Sequence, residues 1–210
     1  MEKKISAVIL ENSDIALKEF NQSNLFEIKI EQLKKCPSIK EIVVVSNNEN
    51  ILLRACDLNI ETVKIDDVCC EEKLSDKICQ KIAQKVSEKN ILFVNCAFPL
   101  IENKTLNGAI ECYFENDSEY DSLNSAHLVK KYLLQNNKPL NFSEISSKEE
   151  LPNIMALNFA INIISKETML ELGACVAQGA YLFEIDKIET TSSLNDFQYA
   201  EFMYKKLRMV

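Results

Sequence analysis

Two polar side chains directly follow apolar, strand-like runs, which is a position where they could contact a bound ligand. Ser46 comes after Ile42–Val45, and Asn95 comes after Ile91–Val94. Open α/β sheets bind their ligands at the carboxyl ends of parallel strands, so both side chains are candidates for such a contact. The alternatives are structural, because a serine can cap a following helix and an asparagine can satisfy a tight turn. The sequence leaves both interpretations open.

Other reactive groups are present, but their spacing does not form a recognisable catalytic or metal site. Acidic residues cluster at 66–72 and at 115–121, and carboxylates in such clusters could bind a metal ion. We interpret both clusters as solvated loop faces, because most runs of charge are. His127 and a nearby cysteine could form a nucleophilic pair, yet no spacing supports one, and we expect His127 to be structural. We therefore assign no catalytic residue and no metal ligand.

The cysteines and the apolar runs indicate a cytoplasmic protein with reduced thiols. The eight cysteines are scattered and contain no Cys-x-x-Cys motif, and His127 is the only histidine, so a zinc site has few ligands to draw on. The first residues lack the apolar core of a signal peptide. The longest apolar runs are far shorter than the roughly 20 residues of a membrane-spanning helix.

The charge of the chain argues against two classes of partner. A formal net charge of −8 at pH 7 opposes both nucleic acid and an anionic membrane surface. A phosphate group is still compatible with this charge, because backbone N–H groups at a helix N-terminus and a few basic side chains can hold one locally.

The hydrophobic pattern predicts one α/β domain over residues 1–210. Strand-like runs alternate with helix-period stretches, which is typical of strand-helix-strand units and a mostly parallel sheet. Ser46 and Glu49 have the spacing of a capping box, which predicts a helix that opens at Ser46. Buried helix faces are predicted where apolar residues recur at three or four positions: Phe26, Ile30 and Leu33; Ile78, Ile82 and Val86; Leu106, Ile110 and Tyr113.

The alternation changes at about residues 120–145, where we predict a projecting arm. Apolar residues at 129–134 and 140–142 flank a polar turn that ends with Pro139, which is the pattern of a β-hairpin. A strand over Leu157–Ile164 then returns to the sheet. Ser193 and Asp196 predict the start of a last helix that packs on the sheet.

Several segments, in order along nearly the whole chain, resemble the CMP-sugar synthetase (acylneuraminate cytidylyltransferase) family, which joins CTP to an acidic sugar and releases pyrophosphate. Single segments such as Ile5–Leu10 are weak signals. The more specific ones are Phe93–Asn95 with Pro99-Leu100, Tyr120–Leu123, Asn137–Pro139 with Asn141, Ile163–Met169, Tyr181–Glu189, and Asp196-Phe197.

The resemblance implies a three-layer, Rossmann-like nucleotidyltransferase fold with a mostly parallel sheet and a projecting β-hairpin arm. It also implies a homodimer with residues 125–142 at the interface, and CTP, an acidic sugar of the nonulosonic acid type and, in an active enzyme, Mg²⁺ as ligands. With the strand-end argument for Ser46 and Asn95, this gives Leu10, Lys18, Ser46 and Asn95 as the candidate nucleotide contacts. Lys18 is either a phosphate contact or a surface lysine.

The same resemblance exposes departures at the positions that carry the family's chemistry. The family's glycine-rich, basic phosphate loop is replaced by residues 11–24, which contain no glycine and no arginine and only Lys18 as a cation. The family's metal-binding carboxylates correspond to Thr190–Ser192, and hydroxyl groups do not replace carboxylates as Mg²⁺ ligands. Two functions therefore remain open: a divergent cytidylyltransferase, or a non-catalytic pseudoenzyme that acts as a binding or partner subunit in surface-glycan biosynthesis.

Overall fold

The computed structural model describes residues 3–66, 74–144, 147–177, 179–186 and 197–208. The helices in these ranges are α1 (Leu25–Lys34), α2 (Glu49–Asp57), α3 (Asp76–Lys85), α4 (Asn103–Asn116), α5 (Lys166–Leu172) and α6 (Phe197–Arg208). The strands are β1 (Ile5–Leu10), β2 (Glu19–Phe20), β3 (Ser23–Asn24), β4 (Ile39–Ser46), β5 (Glu61–Lys64), β6 (Asn90–Val94), β7 (Ser122–Val129), β8 (Leu134–Gln135), β9 (Lys138–Pro139), β10 (Ile154–Ser165) and β11 (Ala180–Glu184).

Seven of the eleven described strands form the central sheet, in the order β11-β7-β10-β6-β1-β4-β5. The other four form two hairpins, β2-β3 and β8-β9. All neighbours run parallel except β10, which is antiparallel to both β6 and β7. Val8 of β1 lies between Val43 of β4 and Phe93 of β6, so the carboxyl ends of these three strands meet at one edge. This confirms the predicted α/β architecture.

Helices cover both faces of the sheet and produce three layers. Residues of α1, α2, α4 and α6 pack in one hydrophobic cluster, whereas α3 and α5 pack in a second cluster on the opposite face. Every residue of β1 is buried, as expected for a strand covered on both sides. The side chains predicted to face the core from α1, α3 and α4 are buried, including Val86, which follows the last residue of α3.

The predicted start of α2 is wrong by two residues. Ser46 is the last residue of β4, and the N-cap of α2 is Asn48, whose side chain accepts hydrogen bonds from the backbone of Asn50 and Ile51. Ser46 is fully buried, because it continues the strand and does not turn away from the sheet. The Ser-Glu spacing alone could not separate these two possibilities.

The arm begins later than the sequence predicted. Residues 122–129 belong to the central sheet as β7, and the projecting hairpin consists of β8 and β9. Its turn residues Asn136 and Asn137 both have positive φ, at 52° and 63°, as a two-residue hairpin turn requires. Leu134 and Leu140 of the hairpin are exposed.

The remaining structural predictions have mixed outcomes. The strand predicted at Leu157–Ile164 lies within the longer β10. Cys36, Cys56, Cys79, Cys96, Cys112 and Cys175 are thiols that form no disulfide bond. Cys69, Cys70 and the predicted cap at Ser193 lie outside the described residues. None of the helices in the described ranges is long and apolar enough to cross a membrane.

Candidate functional site

Leu10 and Asn95, two of the four predicted nucleotide contacts, lie together at the carboxyl ends of β1 and β6. They line a cavity of about 90 Å³ with Glu11 and Ser13. Binding sites for drug-sized ligands usually occupy about 300–1,000 Å³. This cavity, as the described residues line it, is therefore too small to enclose a nucleotide.

Ser46 lies beside this cavity but has a structural set of hydrogen bonds. Its hydroxyl group donates to the Glu11 carbonyl at 2.5 Å and accepts from the Asn48 backbone N–H at 2.9 Å. Asn95 likewise satisfies a turn, because its side-chain oxygen accepts from the backbone of Ala97 at 2.8 Å. The structural alternative for each side chain is present, and a nucleotide contact by either remains a prediction.

The segment that joins β1 to α1, residues 11–24, has regular secondary structure over more than half of its length. It contains a short 3₁₀ helix over Asp14–Leu17 and the β2–β3 hairpin. The hairpin turn is made by Asn21 and Gln22, both with positive φ, and Asn24 ends the segment as the N-cap of α1. We call residues 11–24 the β1–α1 segment.

An asparagine network ties the β1–α1 segment to the start of α2. The Asn12 side chain accepts from the Asn47 backbone at 3.1 Å, and its carbonyl accepts from the Asn48 side chain at 3.3 Å. The Asp14 carboxylate accepts from the side chains of Asn48 at 2.9 Å and Asn50 at 3.3 Å. These hydrogen bonds from Asn47, Asn48 and Asn50 hold the first part of the segment against the start of α2.

Glu11 places a partly buried carboxyl group in the cavity. Burial raises the pKa of Glu11, and hydrogen bonds from the Ser13 backbone, the Cys96 side chain and the Asn12 backbone only partly oppose that rise. The Ser13 N–H lies 2.8 Å from the carboxylate oxygen. An acid at this position repels phosphate and favours donors such as hydroxyl or amino groups.

Most of the basic groups around the β1–α1 segment already have partners. Lys29 of α1 is buried and donates to the Phe98 carbonyl at 3.0 Å, and Arg54 of α2 pairs with Glu27 at 2.7 Å. Lys18, the predicted phosphate contact, is exposed and is not among the described residues that line the cavity. The nearby Asp14 is ionised readily, because hydrogen bonds from Asn48 and Asn50 lower its pKa. The electrostatics therefore disfavour a triphosphate.

The second feature of the β1–α1 segment is its attachment to the last helix. Phe20 is fully buried, and its ring makes edge-to-face contacts with Phe197 and Tyr204 at centroid distances of 5.3 Å. The adjacent Asn21 N–H donates to the Glu201 carboxylate at 2.9 Å. Phe20 therefore anchors the β2–β3 hairpin to the hydrophobic core.

In the part of the chain that the structure describes, no group of three His, Cys, Asp or Glu side chains could hold a metal ion. Of the acidic cluster at 66–72, only Asp66 lies within the described residues. Thr190–Ser192, which the resemblance aligns with the metal ligands, lie outside the described residues. Their hydroxyl groups do not match the hard, charged ligand set that Mg²⁺ prefers. We derive no step through a metal.

A band of buried polar side chains crosses β7 and β10. Six of the seven buried side-chain atoms without a hydrogen-bond partner among the described residues lie here, on Ser122, Asn124, His127, Asn158 and Asn162. The adjacent Phe159 has a φ of 54°, which is strained for a bulky residue. Buried unpaired amides cost roughly 1–3 kcal/mol each, so this band is the second candidate for a ligand contact.

The sheet order, the single antiparallel strand and the three layers define a three-layer nucleotidyltransferase fold. Comparison with solved structures supports this class. CMP:2-keto-3-deoxy-manno-octonic acid synthetase complexed with CTP superimposes over 97% of this chain and 99% of its own, with a TM-score of 0.67 and 9% sequence identity.

Two synthases of a second kind are also similar. 4-Diphosphocytidyl-2C-methyl-D-erythritol synthase from Anaerococcus prevotii DSM 20548 matches 98% of this chain and 100% of its own, with a TM-score of 0.69 and 10% identity. A further 4-diphosphocytidyl-2C-methyl-D-erythritol synthase matches 96% and 99%, with a TM-score of 0.68 and 9% identity. At these identities the likeness shows the fold. No protein-family model and no curated protein matches the chain by sequence.

Proposed function

We propose that this chain is a non-catalytic protein with a cytidylyltransferase fold, which acts as a binding or partner subunit in surface-glycan biosynthesis. The observation that carries this proposal is that the β1–α1 segment is acidic and that its backbone donors bond within the protein. Nucleotidyl transfer needs cations around the phosphates of the nucleotide, and this segment offers Glu11, Asp14 and Glu19 against Lys18.

The hydrogen bonds of the segment support the same proposal. A loop that wraps phosphate needs free backbone N–H groups, usually supplied by glycines that allow close approach. Here Ser13 N–H donates to Glu11, Ile15 N–H to the Ser13 hydroxyl, and Ala16 N–H to the Ser13 carbonyl. These donors already have acceptors within the protein.

The test is calorimetric titration of the purified protein with CTP in the presence of Mg²⁺, because this requires no knowledge of a sugar. We expect no heat of binding and no thermal shift. A dissociation constant below about 100 μM, which corresponds to roughly 5–6 kcal/mol, would contradict the proposal. A circular dichroism spectrum of the same sample shows that a negative result comes from folded protein.

The second candidate is an active cytidylyltransferase that acts on an acidic sugar. It is favoured by the full-length similarity to a synthetase complexed with CTP and by the position of Leu10 and Asn95 on one cavity. If CTP binds, the Lys18→Ala variant distinguishes how. A weaker affinity in that variant indicates that Lys18 contacts phosphate, and release of pyrophosphate with acidic nine-carbon sugars identifies the enzyme.

A further inference from the structure

One side of α6, which we call its outer face, carries large apolar side chains that are about half exposed or more. Tyr199, Phe202 and Leu207 are 50%, 60% and 49% exposed. They are separated by three and five positions and lie on one side of the helix. Met203 lies between them, but it is half-buried and also packs against the core. Ala200 and Tyr204, on the neighbouring side of the same helix, are buried.

This helix carries a net positive charge, although the chain as a whole is acidic. Lys205 pairs with Glu201 at 2.9 Å, and the Arg208 guanidinium lies 4.0 Å from the centre of the Tyr204 ring. Lys206 falls within the apolar arc, and no carboxylate in the described ranges forms an ion pair with it. The helix dipole accounts for basic residues in the last turn, but it does not account for the exposed aromatic and aliphatic side chains beside them.

We propose that this face of α6 binds an acidic, amphipathic helix of a partner protein. Apolar side chains at spacings of three and four form the groove-and-ridge surface on which a second helix packs. The cationic Lys206 in the middle of that surface selects a carboxylate on the partner. A helix of the length of α6, about 18 Å, matches a partner segment of three to four turns.

A second copy of the same chain fits this face less well. In a symmetric dimer the same patch lies on both sides of the interface, so the basic side chains of the two α6 helices would face each other. The inner side of α6 is fixed to the core by Phe20 and Asn21, and the outer face is therefore presented on a rigid support. The inference is independent of whether the protein binds CTP.

The test measures fluorescence anisotropy of a labelled synthetic helix of about 14 residues, with leucines on one face and glutamates elsewhere, against the full-length protein. A matched peptide carries lysines in place of the glutamates. We expect the acidic peptide to bind, and its affinity to fall by about tenfold or more in Phe202→Ser and in Lys206→Glu. The Lys206→Glu variant should gain affinity for the basic peptide.

Leu53 supplies the matched control, because it is also exposed, at 65%, on a different helix. Leu53→Ser should leave the affinity for the acidic peptide unchanged. The proposal is wrong if neither peptide binds, if both bind equally, or if Phe202→Ser has no effect. Light scattering that shows a dimer lost on Phe202→Ser would also overturn it, in favour of a second copy.

Discussion

The side-chain amide of Asn48 donates a 2.9 Å hydrogen bond to the carboxylate of Asp14. The same asparagine caps α2 through its side-chain oxygen and donates to the Asn12 carbonyl. One side chain therefore fixes both the start of α2 and the conformation of the β1–α1 segment.

Replacement of Asn48 by alanine should lower the free energy of unfolding by about 1–2 kcal/mol, because loss of a helix N-cap alone typically costs about 1 kcal/mol. Urea denaturation measures the change. Asn50→Ala is the control, since it removes only the 3.3 Å hydrogen bond to Asp14. Equal effects of the two substitutions would contradict the central role of Asn48.

Glu11→Gln should stabilise the protein at neutral pH. Burial raises the pKa of Glu11, so the folded state binds its proton more tightly than the unfolded chain does. The contribution to stability is fully present below the unfolded pKa, about 4.3, and is lost as pH rises through the folded pKa. Glutamine stays neutral and still offers an oxygen to the Ser13 N–H.

The measurement for this prediction is thermal unfolding of Glu11→Gln and wild type between acidic and neutral pH. The two curves should meet at acidic pH and separate as pH rises. The exposed Glu19→Gln provides the control for the change in net charge. A loss of stability at neutral pH in Glu11→Gln would show that the carboxylate is needed in its ionised form.

Phe20→Ala should cost about 3–5 kcal/mol of stability, which is typical for truncation of a buried aromatic ring. Phe20 lies between Phe197 and Tyr204, so its truncation removes the aromatic contacts of the β2–β3 hairpin with α6. Phe202→Ala, on the exposed side of α6, should change stability by less than about 0.5 kcal/mol. Guanidinium denaturation of both variants checks the contrast, which would fail if they were equally destabilised.

Phe159→Gly should increase the free energy of unfolding by up to about 1 kcal/mol. A left-handed backbone costs a residue with a side chain roughly 1–2 kcal/mol, and glycine removes that cost while giving up part of the packing of the ring. Ala160→Gly, at the next and buried position, should instead destabilise. If Phe159→Gly also destabilises in urea denaturation, the ring contributes more than the strain costs.

The amino-acid sequence by itself determined the layered architecture. Short apolar runs form at least half of β1, β4 and β6. The apolar spacing in α1, α3 and α4 has the helical period, so local pattern and tertiary environment agree in these elements. The hairpin at 134–139 was also predictable, because its Asn-Asn turn and the following proline restrict the backbone locally. The departures from the family's phosphate loop and metal ligands could likewise be identified from residue types alone.

Only the tertiary structure decided how the candidate site is arranged. That Ser46 ends a strand, that Asn48 caps α2 and that Phe20 packs on Tyr204 all depend on contacts between residues far apart in the chain. The sequence shows that residues 11–24 lack glycine and arginine, but it cannot show that Asn12, Asp14 and Asn48 close the segment. Local propensity restricts φ and ψ over a few residues, whereas the partners of a polar side chain are set by the packing of the whole sheet.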